Sequence, residues 1–178
     1  GIQKWADVSQ INVNWQTMGE FFAEAEKKSF GVNFATLVGY GTLRRGILGD
    51  DSRPASYEEI QKIRYLLEEA LKQGAFGVST SLGSSHEKFS GEEEIAEIFK
   101  IAKEHGAVTK HHLADEGKNL LPALSRLLSF IRLSGARTGV SHFKAIGRTA
   151  WENFGRALEM IEKVRNEGFE ITCDVFPY

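Results

Sequence analysis

The stretch VTKHHLADEGKNLLPALSRLLSFIRLSGARTGVSHFKAIG, residues 108–147, decides the fold. Its first six residues, 108–113, read as a strand. Residues 120–133 then predict a helix, with Pro122 in the first turn, where a proline is tolerated because its missing N–H would have had no partner anyway. Residues 138–143 read as a second strand. A strand, a helix and a strand joined by short connections imply two parallel strands linked by a right-handed crossover.

The same cycle repeats on both sides of this stretch. Upstream, residues 15–28 carry Met18, Phe21, Phe22 and Ala25 at helical spacing, and Gly31 stops that helix. Residues 32–40, rich in β-branched and small side chains, predict the first strand. Residues 41–55 contain Gly, Asp and Pro and predict a loop. Ser56 then N-caps a helix with Glu59 three residues on, the pattern of a capping box. Its apolar face runs through Ile60, Ile63, Leu66, Leu67, Ala70 and Leu71 to a stop at Gly74. Strand 76–82 and helix 91–105 complete that side. Downstream, residues 151–165 predict a helix and 171–175 a final strand.

Five strands alternating with helices leave two architectures, an open doubly wound sheet or part of a (β/α)8 barrel. A doubly wound nucleotide-binding sheet usually carries a phosphate-binding glycine loop after its first strand. Here the first strand runs into GYGTLRRG, residues 39–46, which is not GxGxxG and is not expected to open directly into a helix.

Composition narrows the classes. At 178 residues, with 42% hydrophobic and 26% charged residues, the chain is a single globular domain. A net charge of -2 supplies no basic field for nucleic acid or an anionic membrane, and no segment reaches membrane-spanning length. The single cysteine, Cys173, excludes an internal disulfide framework and a cysteine-only zinc cage. The start shows no signal-peptide pattern, and on its single cysteine a reducing cytoplasm is the expected compartment.

In either architecture the chemistry gathers at the carboxyl edge of the sheet. That edge offers His111, His112, Asp115 and Glu116 after one strand, His142 and Lys144 after the next, and Asp174 after the last. Earlier edges offer Tyr40, Thr42, Arg44 and Arg45, then Thr80, Ser84 and His86. Strand alternation sets His112 with Lys110 and Ala114 on one face and His111 with Thr109 and Leu113 on the other, so only one of the two histidines points inward. Val140, His142 and Lys144 share a parity in the next strand. Histidines at consecutive strand ends lie close enough to share an ion. A catalytic zinc site takes about three protein ligands and an open position, so His112 and His142 make an incomplete site. A buried histidine is also commonly a hydrogen-bonded core residue. His86, in a polar loop, reads as a surface residue or a substrate contact.

The strings NFATLVGYGTLR, LEEALKQGAFGVSTSL, HLADEG, SHFKAIG and DVFPY, in this order, resemble the D-aminoacylase (N-acyl-D-amino-acid deacylase) branch of the amidohydrolase superfamily. The resemblance runs from about residue 15 to the end. It implies a (β/α)8 barrel with a small β-domain built from both chain ends, and hydrolysis of the amide of N-acylated D-amino acids with zinc through a metal-bound hydroxide. It also implies that His112 and His142 are metal ligands. The family's HxH pair, its bridging cysteine and its catalytic aspartate fall outside residues 1–178, and neither Cys173 nor Asp174 stands in for them. The sequence departs from the family pattern at Ala114, where an arginine is usual, at Tyr40, where a histidine is usual, and in TSLGSSHE, residues 80–87. A substrate carboxylate would then fall to Arg44, a group able to hold it bidentately. Tyr40, Lys144 and His86 are the other substrate-binding candidates. Lys144 and Glu116 either orient the ligands or pair with each other.

The chain is thus expected to be one piece of a catalytic barrel, 1–178, lacking the flanking strands and the β-domain. On its own it should be inactive, with open sheet edges that invite self-association. The alternative is a non-catalytic binding or regulatory domain on a degenerate amidohydrolase barrel.

Overall fold

The computed structural model describes residues 14–28, 30–84 and 86–177, and the chain divides into two compact units, residues 1–34 and 35–178. In the first, Thr17 caps helix α1 (Met18–Glu26). Its hydroxyl accepts the Glu20 N–H while the Glu20 carboxylate accepts the Thr17 N–H, as a capping box requires. Trp15, Phe21, Phe22, Phe30 and Phe34 form a chain of ring contacts with centroids 5.3 to 6.3 Å apart.

The second unit is a five-stranded parallel sheet of β1 (Leu37–Gly39), β2 (Gly77–Ser81), β3 (Val108–His112), β4 (Arg137–Val140) and β5 (Ile171–Cys173). The strands lie side by side in chain order. A doubly wound sheet reverses its order at a switch point. This sheet winds one way throughout, as a (β/α)8 barrel does, with one neighbour each for β1 and β5.

Between the strands run α2 (Tyr40–Leu48) and α3 (Tyr57–Lys72), then α4 (Glu92–Glu104), α5 (Leu120–Ser134), α6 (Arg148–Trp151) and α7 (Phe154–Asn166). The Ser56–Glu59 capping box opens α3 as its sequence predicts. Several elements differ from expectation. The first strand, expected over 32–40, is three residues long, and the expected loop begins with helix α2 directly after it. Tyr40, Arg44 and Leu48, four residues apart, make one buried helical stripe. Gly41, Gly46 and two arginines hide that stripe in the sequence, because an arginine ordinarily faces water. The helix expected over 151–165 is broken at Glu152 and Asn153 into α6 and α7.

Alternation along the strands gives the sheet two distinct faces. Val78, Thr80, Thr109, His111, Thr138, Val140 and Ile171 face the helices and are buried. Phe99, Leu124, Leu128, Ile131, Ala157 and Ile161 close the core over them. On the opposite face Ser79, Lys110, Gly139 and Thr172 lie in register across four strands. In a closed barrel that face is the interior.

His111 belongs to the helix side. Its ring stacks on Phe99 at 4.6 Å between centroids and 3° between planes, and its Nδ1 lies 2.7 Å from Thr80 Oγ1. Burial pushes its pKa down from 6.5 to about 3, so the ring is neutral. Protons therefore bind the unfolded chain first. The stability contributed by a neutral His111 is fully present above pH 6.5 and is lost as the pH falls toward 3. His111→Phe should shrink the loss of stability between pH 7 and pH 4, read from urea midpoints at the two values. An unchanged difference would count against a buried neutral imidazole.

Candidate metal centre

His112 is the last residue of β3, on the face opposite His111. His142 comes two residues after β4 ends, and it is the one non-glycine residue with positive φ among the described residues, at 35°. Simple alternation would send His142 the way of Val140, into the helix core. The left-handed turn breaks that alternation and brings the ring to His112 instead, with centroids 4.4 Å apart.

The polar atoms then converge. His112 Nδ1 and His142 Nε2 are 2.7 Å apart, and His142 Nδ1 is 3.0 Å from Glu116 Oε1. Glu116 Oε2 is 2.7 Å from Lys144 Nζ, which also lies 3.0 Å from His142 Nδ1. Phe176 stacks on the His142 ring at 5.7 Å, and the Lys144 ammonium sits 5.4 Å from the Phe176 ring centre. One donor atom each from His112, Glu116 and His142 falls within 4.8 Å of the others. Burial holds the His112 pKa below its ordinary value, helped by His142 and Lys144 and opposed by Glu116. The neutral ring it favours is the form that ligates metal.

Two imidazoles and a glutamate side chain are a donor set that fits a divalent metal such as zinc. His142 turns Nδ1 toward Glu116 and Lys144 and Nε2 toward His112. Glu116 is itself buried and held from the other side by Lys144, so it can fix the orientation of the ring.

Of the residues named from sequence, the structure brings His112, His142, Lys144 and Glu116 together. It places Arg44 and Tyr40 elsewhere. Arg44 is 0% exposed, donates from Nε to Glu94 Oε1 at 2.8 Å and also bonds the Arg53 carbonyl. The Tyr40 hydroxyl lies 2.6 Å from Ser90 Oγ and bonds Glu94, and burial foremost, then Glu94, raises its pKa far above that of a free phenol. Glu94 also accepts the Ala55 N–H at 3.2 Å. These groups bond one another and fasten α2 to α4, with Arg44 Nη1 left unpartnered, so Arg44 and Tyr40 are corrected from substrate contacts to members of a buried core network.

His86 is buried rather than on the surface, with Nε2 3.7 Å from Asp50 Oδ1. It lines a cavity of about 580 Å³ at the carboxyl ends of β1 and β2, together with Thr42, Ser79, Ser81 and Glu87. Glu87 carries no mark in the sequence beyond its charge. Its carboxyl accepts the Ser81 N–H at 2.5 Å, yet burial outweighs the backbone donors and lifts its pKa to about 7. The Cβ of any side chain at Gly41 would fall 2.5 Å from Glu87 Oε1, so the Glu87 side chain would have to move to admit one.

No profile of a known protein family matches the chain. D-aminoacylase of Alcaligenes xylosoxydans xylosoxydans is 33% identical over 149 residues, which are 83% of this chain and 30% of that protein. The crystal structure of N-acyl-D-glutamate deacylase from Bordetella bronchiseptica, complexed with zinc and a phosphonate inhibitor that mimics the tetrahedral intermediate, is 27% identical. It superposes with a TM-score of 0.88 over 91% of this chain and 34% of its own. A D-aminoacylase structure that addresses the role of a binuclear metal centre is 28% identical, with a TM-score of 0.85 over the same shares. The fold is part of the TIM barrel of the amidohydrolases. Within them, this chain's homologues and structural neighbours are the D-aminoacylases and N-acyl-D-glutamate deacylases, and the likeness covers most of its length. The chain spans about a third of the length of these relatives.

Removing one member of a buried ion pair strands the other charge. Arg44→Met should therefore cost about 3–5 kcal/mol in chemical denaturation. Arg45→Ala, which breaks an exposed pair with Asp50, should cost less than about 1 kcal/mol. Equal effects would show that the Arg44–Glu94 pair is not buried as described.

Proposed function

We propose that this protein hydrolyses the amide bond of N-acylated D-amino acids or closely related amides, with a divalent metal, zinc in the first instance, held in part by His112 and His142. The observation that carries the reading is the His112–Glu116–His142 group at the carboxyl ends of adjacent barrel strands, where amidohydrolases do their chemistry. We further propose that residues 1–178 form one part of a single catalytic barrel in a longer protein, which is the level at which activity belongs. An open sheet with unpartnered β1 and β5 edges supports self-association of the chain when it stands alone.

The metal, when bound, activates water and polarises the scissile carbonyl. The residues of this chain act around that chemistry. His112 and His142 each present an imidazole nitrogen, one at the end of β3 and one on the turn after β4. Glu116, by accepting the Nδ1–H of His142, would orient the ring with Nε2 turned toward His112. Lys144, 2.7 Å from Glu116, holds that side chain in place and sets a positive charge beside the centre, where it can meet a substrate oxygen. Phe176 covers the other face of His142 and limits water there. His86 and Glu87, in the neighbouring cavity, offer polar contacts to the remainder of the substrate. Cytoplasmic location fits the one cysteine, which is exposed and unpaired.

The test is elemental analysis and turnover of N-acetyl-D-amino acids by the full-length protein. We expect at least one equivalent of zinc, lost in His142→Ala and in His112→Ala together with hydrolysis. Glu116→Gln should retain metal but bind it about 10- to 100-fold more weakly. A full-length protein that holds no stoichiometric metal, or whose metal content ignores His142→Ala, would instead be a non-catalytic binding domain on the same barrel.

A further inference from the structure

From the bonds around the turn that carries His142, we infer that Asp174 is a positioning residue that fixes the backbone of His142 in its left-handed conformation, and that Lys110 in turn fixes Asp174. The inference rests on the reading of His142 as a metal ligand and extends it to how that ligand is held.

Asp174 follows β5 and brackets the turn at three points. Its N–H donates to the Val140 carbonyl at 3.1 Å, its carbonyl accepts the Phe143 N–H at 2.7 Å, and its carboxylate Oδ1 accepts the His142 N–H. The first two bonds continue the sheet and would form with any residue at 174. The third depends on the side chain. It falls on the one position of the turn where the backbone is least favourable for a residue with a Cβ, at φ 35°. Such a conformation persists only where its surroundings over-determine it. On the other side of the turn, the Ser141 N–H donates to the His111 carbonyl at 2.8 Å, which ties it to β3. Without the Asp174 carboxylate, the His142 N–H would be the one amide of the 141–143 turn without this tethering.

Asp174 is itself held. The Lys110 ammonium reaches it from β3, across β4, and forms an ion pair with Oδ2. The crossing point is Gly139, where an added Cβ would stand 3.3 Å from Lys110 Cδ and 3.7 Å from Thr172 Oγ1. The register Lys110↔Gly139↔Thr172 therefore leaves a channel on the inner face through which the lysine passes. One carboxylate thus joins three strands and ends on the amide of the ligand-bearing residue.

The experiment compares Asp174→Leu, Asp174→Asn and Lys110→Met with the unmodified full-length protein. Two quantities are read: amide hydrogen exchange at His142 in the metal-free protein, and zinc affinity by competition with a chromophoric chelator. Asp174→Leu should speed exchange at His142 by at least about 10-fold relative to flanking amides. It should also weaken zinc by about 10- to 100-fold, as loss of an orienting partner does. Asp174→Asn keeps an acceptor oxygen and should retain most of the protection. Lys110→Met leaves the carboxylate in place but unfastened, and should shift both readings in the same direction by less. It also serves if Asp174→Leu does not fold. Native protection and native zinc affinity in both Asp174→Leu and Lys110→Met, or in Lys110→Met alone should the leucine variant fail to fold, overturn the proposal. If the unmodified protein binds no zinc, the metal reading fails, while exchange at His142 in the metal-free variants still decides the role of Asp174.

Discussion

Two adjacent histidines on β3 cannot share a face, because successive side chains of a strand point to opposite sides of the sheet. The consequence runs through the whole site. His111 goes into the helix layer, where it stacks on Phe99, bonds Thr80 and loses its affinity for a proton. His112 goes to the opposite face with its lone pair available. The core and the candidate metal centre are therefore built from neighbouring residues of one strand, and the packing of the first fixes the direction of the second. A slip of β3 by one residue would exchange them, placing the ligand in the core and the core residue at the mouth of the barrel.

The second histidine of the candidate centre is reached by the contrary device. His142 has the parity of Val140 and would follow it into the core if β4 simply continued. The strand stops instead, and a left-handed residue swings the ring across to His112. Regular alternation supplies one histidine and an interruption supplies the other. The interruption is tied down by bonds from β3 and from the residue after β5, so the geometry of the centre depends on three strands being in register at once.

Charge is handled in two different ways. The Arg44–Glu94 pair is buried with Tyr40 and Ser90, and its bonds are directed inward to one another and to backbone groups. Such a network makes the packing of α2 on α4 specific. The Lys144–Glu116 pair is open on the lysine side and borders the imidazoles. It is available to chemistry, where the first is only architecture. The residue types are the same in both, so position alone separates the roles.

Much of this was legible from residues 108–147 and their surroundings. The alternation of strands and helices, the capping box at Ser56 and the placement of His112 and His142 at strand ends follow from periodicity and local bonding, which act over a few residues. The winding direction of the sheet did not follow, since periodicity is the same in a doubly wound sheet and a barrel. Helix α2 was hidden because its stripe is a tyrosine, an arginine and a leucine, and only Glu94, fifty residues on, makes burial of that arginine tolerable. Periodicity left the choice between His111 and His112 open, and the raised carboxyl of Glu87 and the bond from Asp174 to His142 were hidden for the same reason. Sequence by itself determined which elements form and which edge of the sheet carries the chemistry, because those depend on neighbours in the chain. Only the tertiary structure decided which side chains meet, because burial and long-range partners set whether a histidine, an arginine or a carboxylate serves the core or the site.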